Sequence, residues 1–456
     1  MLIFKVLNQK TNDFKLTSEM KGKNKIVKFQ SKNIKSSFTG SRMTLYSGLA
    51  PIMKFFKKDN ITKELNQLFP TQDYSSLKFS KVQLMLSVIM ASLSGVNRLT
   101  RIAVFTHDQL VKALLGLQKG LNKDVISTCF KKLGQRGAVM LHEYSLKKVT
   151  TWLTKSRLRS ITIDVDSTVF TVYGNQGGAA KGYNSEKKGA KSYHCLLGFC
   201  SQMKLIVNNW FRTGSAYTSN GIVDFTKQMA VALPGKIKNV FYRADSGFFN
   251  GKLFDLLEGL GWKYLIKAKF KGMKERFNSL DWTVVDKKGY VCISEFEYKA
   301  ASWSKSRMLK VIRTVEKWEQ RDYFGQKQMI PVYQYACYCS NLEEKTALEL
   351  HQIYKERSTS ETWIEQVKSQ LLAGKTLTDD FHANDILWQL SIMAYNLSVV
   401  MRYKTKKIFR QEHATFMNWF INVAARITSS GGYIKQQLYE HYYEREKWEE
   451  FSIQLE

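Results

Sequence analysis

Four polar residues in the stretch YKERSTSETWIEQVK, Tyr354, Arg357, Glu361 and Lys368, follow one another at offsets of 3, 7 and 14 from the tyrosine. At roughly 100° of turn per residue, an unbroken α-helix gathers them within an arc of about 60°. One face then carries a phenol, a guanidinium, a carboxylate and an ammonium. That set suits a polyanion, because the carboxylate can hold a hard cation while the other three hold phosphate oxygens. A plainer reading stands beside it: Ser358 to Glu361 spells S-x-x-E, a capping box in which the glutamate only closes a helix start. Further acids lie upstream. RSITIDVDSTVFTVYG alternates, with Ile161, Ile163 and Val165 on one strand face and Thr162, Asp164 and Asp166 on the other. Asp245 ends a strand, Lys238 to Ala244, in NVFYRADSGF and is followed at once by Ser-Gly and a new helix. Open sheets place their sites at such strand ends, and an aspartate there also serves as a helix cap.

These acids need elements to position them. After the first acid-bearing strand come two more, Tyr193 to Cys200 and Lys204 to Phe211, across a Gly/Lys-rich loop from Gly174 to Gly189. A helix (Gly221 to Leu233), the strand ending in Asp245, a helix (Asn250 to Gly259) and a strand (Lys263 to Phe270) complete the order. Asp281 to Asn341 is rich in Trp, Tyr, Val and Ile at strand spacing. Upstream, residues 46 to 150 read as helical, with apolar periodicity in Val82 to Leu93, Gln109 to Leu115 and Val125 to Leu133. Within that region, two short helices joined by a Gly-containing link have the form of a helix-turn-helix whose second helix begins near Asn122 and bears Lys123, Lys131 and Lys132. A small helical bundle gives the same pattern. Residues 1 to 45 read as a basic arm. Beyond FHANDILWQLSIMAYNL, with Asn384 and Asn396, the tail reads as basic and helical.

Charge narrows the partner. Among 456 residues, 70 Lys and Arg face 39 Asp and Glu, a net charge of +31 spread along the chain. A polyanion is implied, nucleic acid ahead of an anionic membrane. The longest uncharged apolar runs, Val82 to Asn97 and Ile386 to Met401, fall short of the ~20 residues that a membrane span needs. The charged N-terminus lacks the apolar block of a secretory signal. Six cysteines without a C-x-x-C pair or zinc spacing fit unpaired thiols in a reducing cytoplasm.

The run Tyr, two residues, Arg, three residues, Glu, six residues, Lys, preceded in order by ITIDVDSTVFTVYG and FYRADSGFF, resembles DDE-type insertion-sequence transposases. The branch is the one with this Tyr-Arg-Glu-Lys signature and a β-strand insertion before its glutamate. The GLAP stretch, Gly48 to Pro51, resembles the start of that family's N-terminal domain. The resemblance implies an α/β fold: a ribonuclease-H-like mixed sheet with flanking helices, interrupted by a β-rich insertion and preceded by a helical DNA-binding region. The implied division is an arm (1–45), a helical DNA-binding domain (46–150), a catalytic core in two parts (151–270 and 346–402) around the insertion (271–345), and a C-terminal region (403–456). It further implies a DNA transposase that binds element ends and catalyses cleavage and strand transfer. Asp166, Asp245 and Glu361 would bind two Mg²⁺ ions, with Mn²⁺ as a substitute, about 3.5–4 Å apart. Partners would be double-stranded DNA, both terminal inverted repeats and target, met by a homodimer at the bacterial nucleoid. Arg357 and Lys368 would hold phosphates, Tyr354 would touch the DNA backbone, and Trp303 and Trp318 would stack on an unpaired base.

Two aspartates compete for the first ligand position. Strand rise sets Asp164 and Asp166 about 6.6 Å apart, so only one lies opposite Asp245. Asp166 is favoured because it opens an Asp-small-Thr run, as in relatives. The signature departs from many relatives in having Ser-Thr-Ser between Arg357 and Glu361, where they place an aromatic. Two other readings keep the fold: a transposase-derived DNA-binding regulator without catalysis, and a ribonuclease-H-like nuclease.

Overall fold

The computed structural model describes residues 36–38, 42–70, 79–184, 187–269, 273–324, 326–375, 377–405, 408–431 and 433–456. Most of the expected basic arm, residues 1–35 and 39–41, lies outside the described residues. A short strand β1 (Met43–Thr44) precedes helices α1 (Leu49–Lys58), α2 (Ile61–Leu68), α3 (Lys81–Leu93), α4 (Leu99–Phe105) and α5 (Gln109–Leu115). Ser80 and Gln83 form a capping box at the start of α3, and the helix is buried from Leu84 to Leu93 without a break, so its apolar run belongs to a core. Asp108 caps α5, and Gly116, in the left-handed region, ends it. Helix α6 (Lys123–Lys155) starts under Asn122, as expected, but is 33 residues long and kinks at Gly134 (φ 53°). It runs through the expected boundary at residue 150 and packs along the long helix Phe381–Lys404. The N-terminal helices and the sheet therefore share one hydrophobic core.

The sheet begins with β2 (Ser160–Thr171), β3 (Ala180–Lys181), β4 (Lys191–Cys200) and β5 (Leu205–Trp210). Helix α7 (Ile222–Ala232), β6 (Asn239–Ala244), α8 (Gly251–Gly259) and β7 (Lys263–Lys267) follow. β2 lies antiparallel to β4 and parallel to β6; β5 is antiparallel on β4, and β7 is parallel on β6. The resulting order β5-β4-β2-β6-β7 is the mixed sheet of the ribonuclease-H-like fold, with β2 central.

After α9 (Lys274–Asn278) the chain enters β8 (Thr283–Val284), β9 (Val291–Tyr298), β10 (Arg307–Tyr323) and β11 (Gln326–Ser340). This β-rich stretch is continuous with the core sheet. Tyr338 to Ser340 of β11 pair with Leu265 to Lys267 of β7, so the strand order runs on through β11-β10-β9-β8. An edge strand with unpaired N–H and C=O groups is thereby covered. β9 pairs with β10 only as far as Thr314, and beyond it β10 and β11 continue as a two-stranded arm to a turn at Phe324.

Helices α10 (Ala347–Lys355) and α11 (Ser358–Glu365) carry the signature, and a wider π-type turn, Gln366–Gln370, completes it. Helix α12 (Phe381–Lys404) is buried without a break from Ile386 to Arg402. Its Asn396 accepts from the Ile206 N–H and donates to the Ile206 C=O, both at 2.9 Å, which ties the helix to β5. Asn384 accepts from the N–H groups of Leu377 and Thr378. The tail departs from the basic helical region expected. It holds α13 (His413–Phe416), the hairpin β12 (Ala425–Ser430) and β13 (Tyr433–Leu438), and α14 (Arg445–Leu455). β12 also pairs with β1, which ties the two ends of the described chain together. From 403 to 456, eight lysines and arginines meet seven glutamates, so this region is nearly neutral. Among the described residues no helix is long and apolar enough to cross a membrane.

Candidate active site

The parallel register of β2 on β6 sets Asp164 beside Arg243 and Val165 beside Ala244. One step further, Asp166 and Asp245 leave the carboxyl ends of the paired run as neighbours. Asp245 also caps the turn that follows, its Oδ1 accepting from the Gly247 N–H at 2.9 Å. A side chain at 247 would meet Thr218 Cγ2 at 2.8 Å and Asp245 Oδ1 at 3.0 Å, so glycine keeps that approach open. Capping engages only one oxygen of Asp245, which makes the helix-cap reading compatible with a ligand role.

The signature is not one helical face. α10 ends at Lys355 and α11 begins at Ser358; between them Glu356 and Arg357 keep right-handed helical angles, and Arg357 is buried 6.0 Å from the Tyr354 ring while Glu361 is exposed. Arg357 is 5% exposed, with its Nη2 2.8 Å from Asp166 Oδ2 and 3.1 Å from the Val165 carbonyl. A buried guanidinium needs a counter-charge, and Asp166 supplies it. Arg357 thus holds a carboxylate, beside which its hold on a phosphate stands as an expectation. Its Nε has no hydrogen-bond partner among the described residues. Tyr354 is half-buried, with its ring 5.2 Å from that of Tyr338. Lys368 is half-buried, with Nζ 5.8 Å from the Phe170 ring. Glu361 stands exposed in the first turn of α11, and no side-chain capping bond closes that helix, so the capping-box reading is not realised.

Burial pushes the Asp166 carboxyl up to about 6; Arg357 opposes this, the charge of Asp245 adds to it, and the Ser167 N–H at 2.8 Å opposes it. Burial also pushes the Tyr354 phenol up to about 12, against the pull of Arg357 and with the charges of Asp245, Asp166 and Glu361 adding. All three acids thus act on a single phenol. Asp164 is wholly buried and held bidentately by Arg243, at 2.7 Å to Nε and 3.0 Å to Nη2, and Ser201 Oγ donates to it as well. Nη1 of Arg243 donates to the Ile353 carbonyl at 2.9 Å and to Glu356 at 3.3 Å, which clamps the end of α10 onto the sheet just before the junction with α11. Arg243 and Glu356 escaped the reading of the sequence. The only signal was an arginine in an otherwise apolar strand, two residues before Asp245.

Asp166 and Asp245 form a donor set of hard oxygens whose like charges repel, and that chemistry fits a hard divalent cation. Among the described residues, however, no three His, Cys, Asp or Glu side chains lie close enough together to hold a metal ion, so Glu361 is not gathered with the aspartates. The remaining candidates have unlike surroundings. Trp303 is buried among Phe249, Phe254 and Tyr298 and offers no face for a base, because it fills the junction between α8 and the insertion. Trp318, on the arm, is 46% exposed. Lys123 and Lys132 are exposed on α6, and Lys131 pairs with Asp379 at 2.6 Å.

No curated protein matches the chain. Among solved structures, a piggyBac transposase synaptic complex with hairpin DNA is similar over 82% of this chain and 78% of that one, at 13% identity and a TM-score of 0.45. A Mos1 transposase paired-end complex with the left transposon end is similar over 42% of this chain and 60% of that one, at 12% identity and a TM-score of 0.17. The family described as Transposase DDE domain group 1 matches residues 27–455. A match of that extent takes in the strands with the aspartates, the insertion and the signature alike, and the chain belongs to this family of DDE transposases.

Proposed function

We propose that this chain is an insertion-sequence transposase of the Tyr-Arg-Glu-Lys branch, which binds the ends of its element and catalyses DNA cleavage and strand transfer. The observation that carries the reading is the placement of Asp166 and Asp245 side by side, one residue beyond the parallel-paired run of β2 and β6. Asp166 and Asp245 would hold divalent cations, Mg²⁺ with Mn²⁺ as a substitute, and Glu361 would complete the ligand set for two. Ions held there would supply activation of water or a 3′-hydroxyl and charge neutralisation for a displacement at phosphorus.

The protein's own groups do the positioning. Arg357 binds Oδ2 of Asp166 and so orients the carboxylate and favours its ionised form. Tyr354 stays protonated at neutral pH and can donate a hydrogen bond to a phosphate oxygen. Lys368 places a charge on the α11 side of the site, and Lys123 and Lys132 offer phosphate contacts on α6. Double-stranded element ends and target DNA are the partners, and a homodimer would bring two ends together.

A second reading, a DNA-binding regulator without catalysis, draws on Glu361 standing apart from the aspartates. One assay separates the two. With Mg²⁺ present, the wild type should nick a duplex carrying the element end, and Glu361→Gln should abolish nicking while end binding and the melting temperature stay unchanged. Nicking by Glu361→Gln would remove that residue from the ligand set. A wild type that binds ends but nicks in neither Mg²⁺ nor Mn²⁺ would be the regulator.

A further inference from the structure

From the end of β2 to the turn at Asp245 the described surface carries exposed tyrosines and lysines. Tyr173 is 83% exposed, Tyr183 66% and Tyr217 73%. Between Tyr173 and Lys191 the sequence has four lysines against one glutamate, and between Arg212 and Gly221 it has no acid. Backbone pairing draws these segments together. Lys181 pairs with Lys191 across β3 and β4, and Tyr193 bridges to Thr213. Glycines let the chains touch: a Cβ at Gly182 would fall 1.9 Å from the Gly214 carbonyl oxygen, and one at Gly214 would fall 2.1 Å from that of Ser192. The loop bearing Tyr217 then reaches the acids. His194, next to Tyr193, donates from Nδ1 to the Ala216 carbonyl at 2.7 Å, and Thr218 packs against Gly247, two residues from Asp245.

We infer that Tyr173, Tyr183 and Tyr217, with Lys181, Lys187 and Lys191, form a platform that holds single-stranded DNA next to the catalytic acids. Open ring faces stack on unpaired bases of any sequence, while lysines follow the phosphates. A duplex hides its base faces, so these rings favour a strand already parted from its complement. Lys187 Nζ lies 5.2 Å from the centre of the Tyr173 ring, which couples a cation to one of the stacking faces. The insertion arm is the rival surface, with Trp318 and Phe324 exposed. There Glu316, Glu319 and Asp322 balance Lys317, Arg321 and Lys327, so it lacks the charge to gather a phosphate backbone. That the strand is DNA rests on the transposase reading.

The test uses the full chain and a labelled 12-nucleotide oligo(dT), followed by fluorescence anisotropy across a salt series. Tyr173→Ala combined with Tyr217→Ala should weaken binding by about tenfold or more, and the two phenylalanine substitutions should retain it. Lys181→Ala with Lys191→Ala should flatten the salt slope by roughly 0.7 for each phosphate no longer neutralised. Duplex end binding and the melting temperature should not change in any variant. Unchanged affinity in the double alanine variant, or equal loss in the phenylalanine variant, would overturn the platform. Tighter binding of an oligo(rU) of the same length would overturn DNA as its ligand. A wild type that binds oligo(dT) but nicks nothing would sink the catalytic reading and leave the platform. Nicking with no oligo(dT) binding would do the reverse.

Discussion

Two aspartates of one strand meet opposite surroundings, and their substitutions should separate accordingly. Asp164 is enclosed and fully engaged with Arg243, whereas Asp166 shares its site with a second carboxylate. Removing one partner of a buried ion pair strands the other, at a cost of about 3–5 kcal/mol. Asp164→Ala should therefore lower the melting temperature sharply, with any loss of nicking following from loss of fold. Asp166→Asn also removes the charge that faces buried Arg357, so it should lower the melting temperature too, but less, because the amide oxygen can still accept from Nη2; it should abolish nicking in both Mg²⁺ and Mn²⁺ in a chain that still binds element ends. Melting curves and a nicking assay on the two variants check this; the opposite ranking would make Asp164 the ligand. The order of the acids along the chain was legible from alternation and motif. The partner of each was not, because Arg243 reaches Asp164 through strand register and Arg357 reaches Asp166 across 191 residues of chain, and neither leaves a spacing to read.

At the scale of elements, strands were easier to anticipate than the signature helix. β-Branched alternation in ITIDVD and the apolar run of NVFYRA reflect burial on a sheet, which local sequence records directly. At the junction of α10 and α11 Arg357 stays 6.0 Å from the Tyr354 ring, as the helical spacing implies, and also binds Asp166, a partner that no local spacing records. Trp303 and Trp318 show the same limit, one residue type at two sites with unlike surroundings. A Cβ at Gly251 would lie 2.5 Å from Trp303 Cδ1, and Arg307 lies 5.5 Å from its ring centre, so this tryptophan locks α8 to the insertion. Trp303→Ala should cost about 3–5 kcal/mol in a urea melt. Trp318→Ala should stay within about 0.5 kcal/mol of the wild type. Equal stability of the two variants would contradict the packing described.

Across the whole molecule, the helical region, the sheet and the tail share a core, and one of its buried groups should make stability depend on pH. Burial, with the charge of Arg402 adding, holds His413 down to about 3, and its Nδ1 lies 2.9 Å from Ser398 Oγ. A histidine in the unfolded chain titrates near its ordinary value of about 6.5. Below that value the unfolded state binds one more proton than the folded state, so stability present at neutral pH is lost as the pH falls, on the order of 1 kcal/mol per unit. His413→Gln should flatten the decline of the melting temperature between pH 6.5 and 5; an unaltered slope would assign the decline to other groups. The sharing of one core was not visible in a sequence divided by composition, whereas the near-neutral charge of the tail is countable in the sequence itself and corrects the expectation of a basic one.

The turn at Phe324 falls between Asp245 and Glu361 in the chain, yet the strands on either side of it pair from Leu309 with Cys339 to Tyr323 with Gln326. Severing the chain there leaves the two aspartates in one piece and the glutamate in the other, each piece carrying half of a ready-made zipper. Neither piece should nick DNA by itself, and the pair made together in one cell should. Split at the arm, the protein would act as a coincidence detector, active only where two separately controlled messages are translated at once.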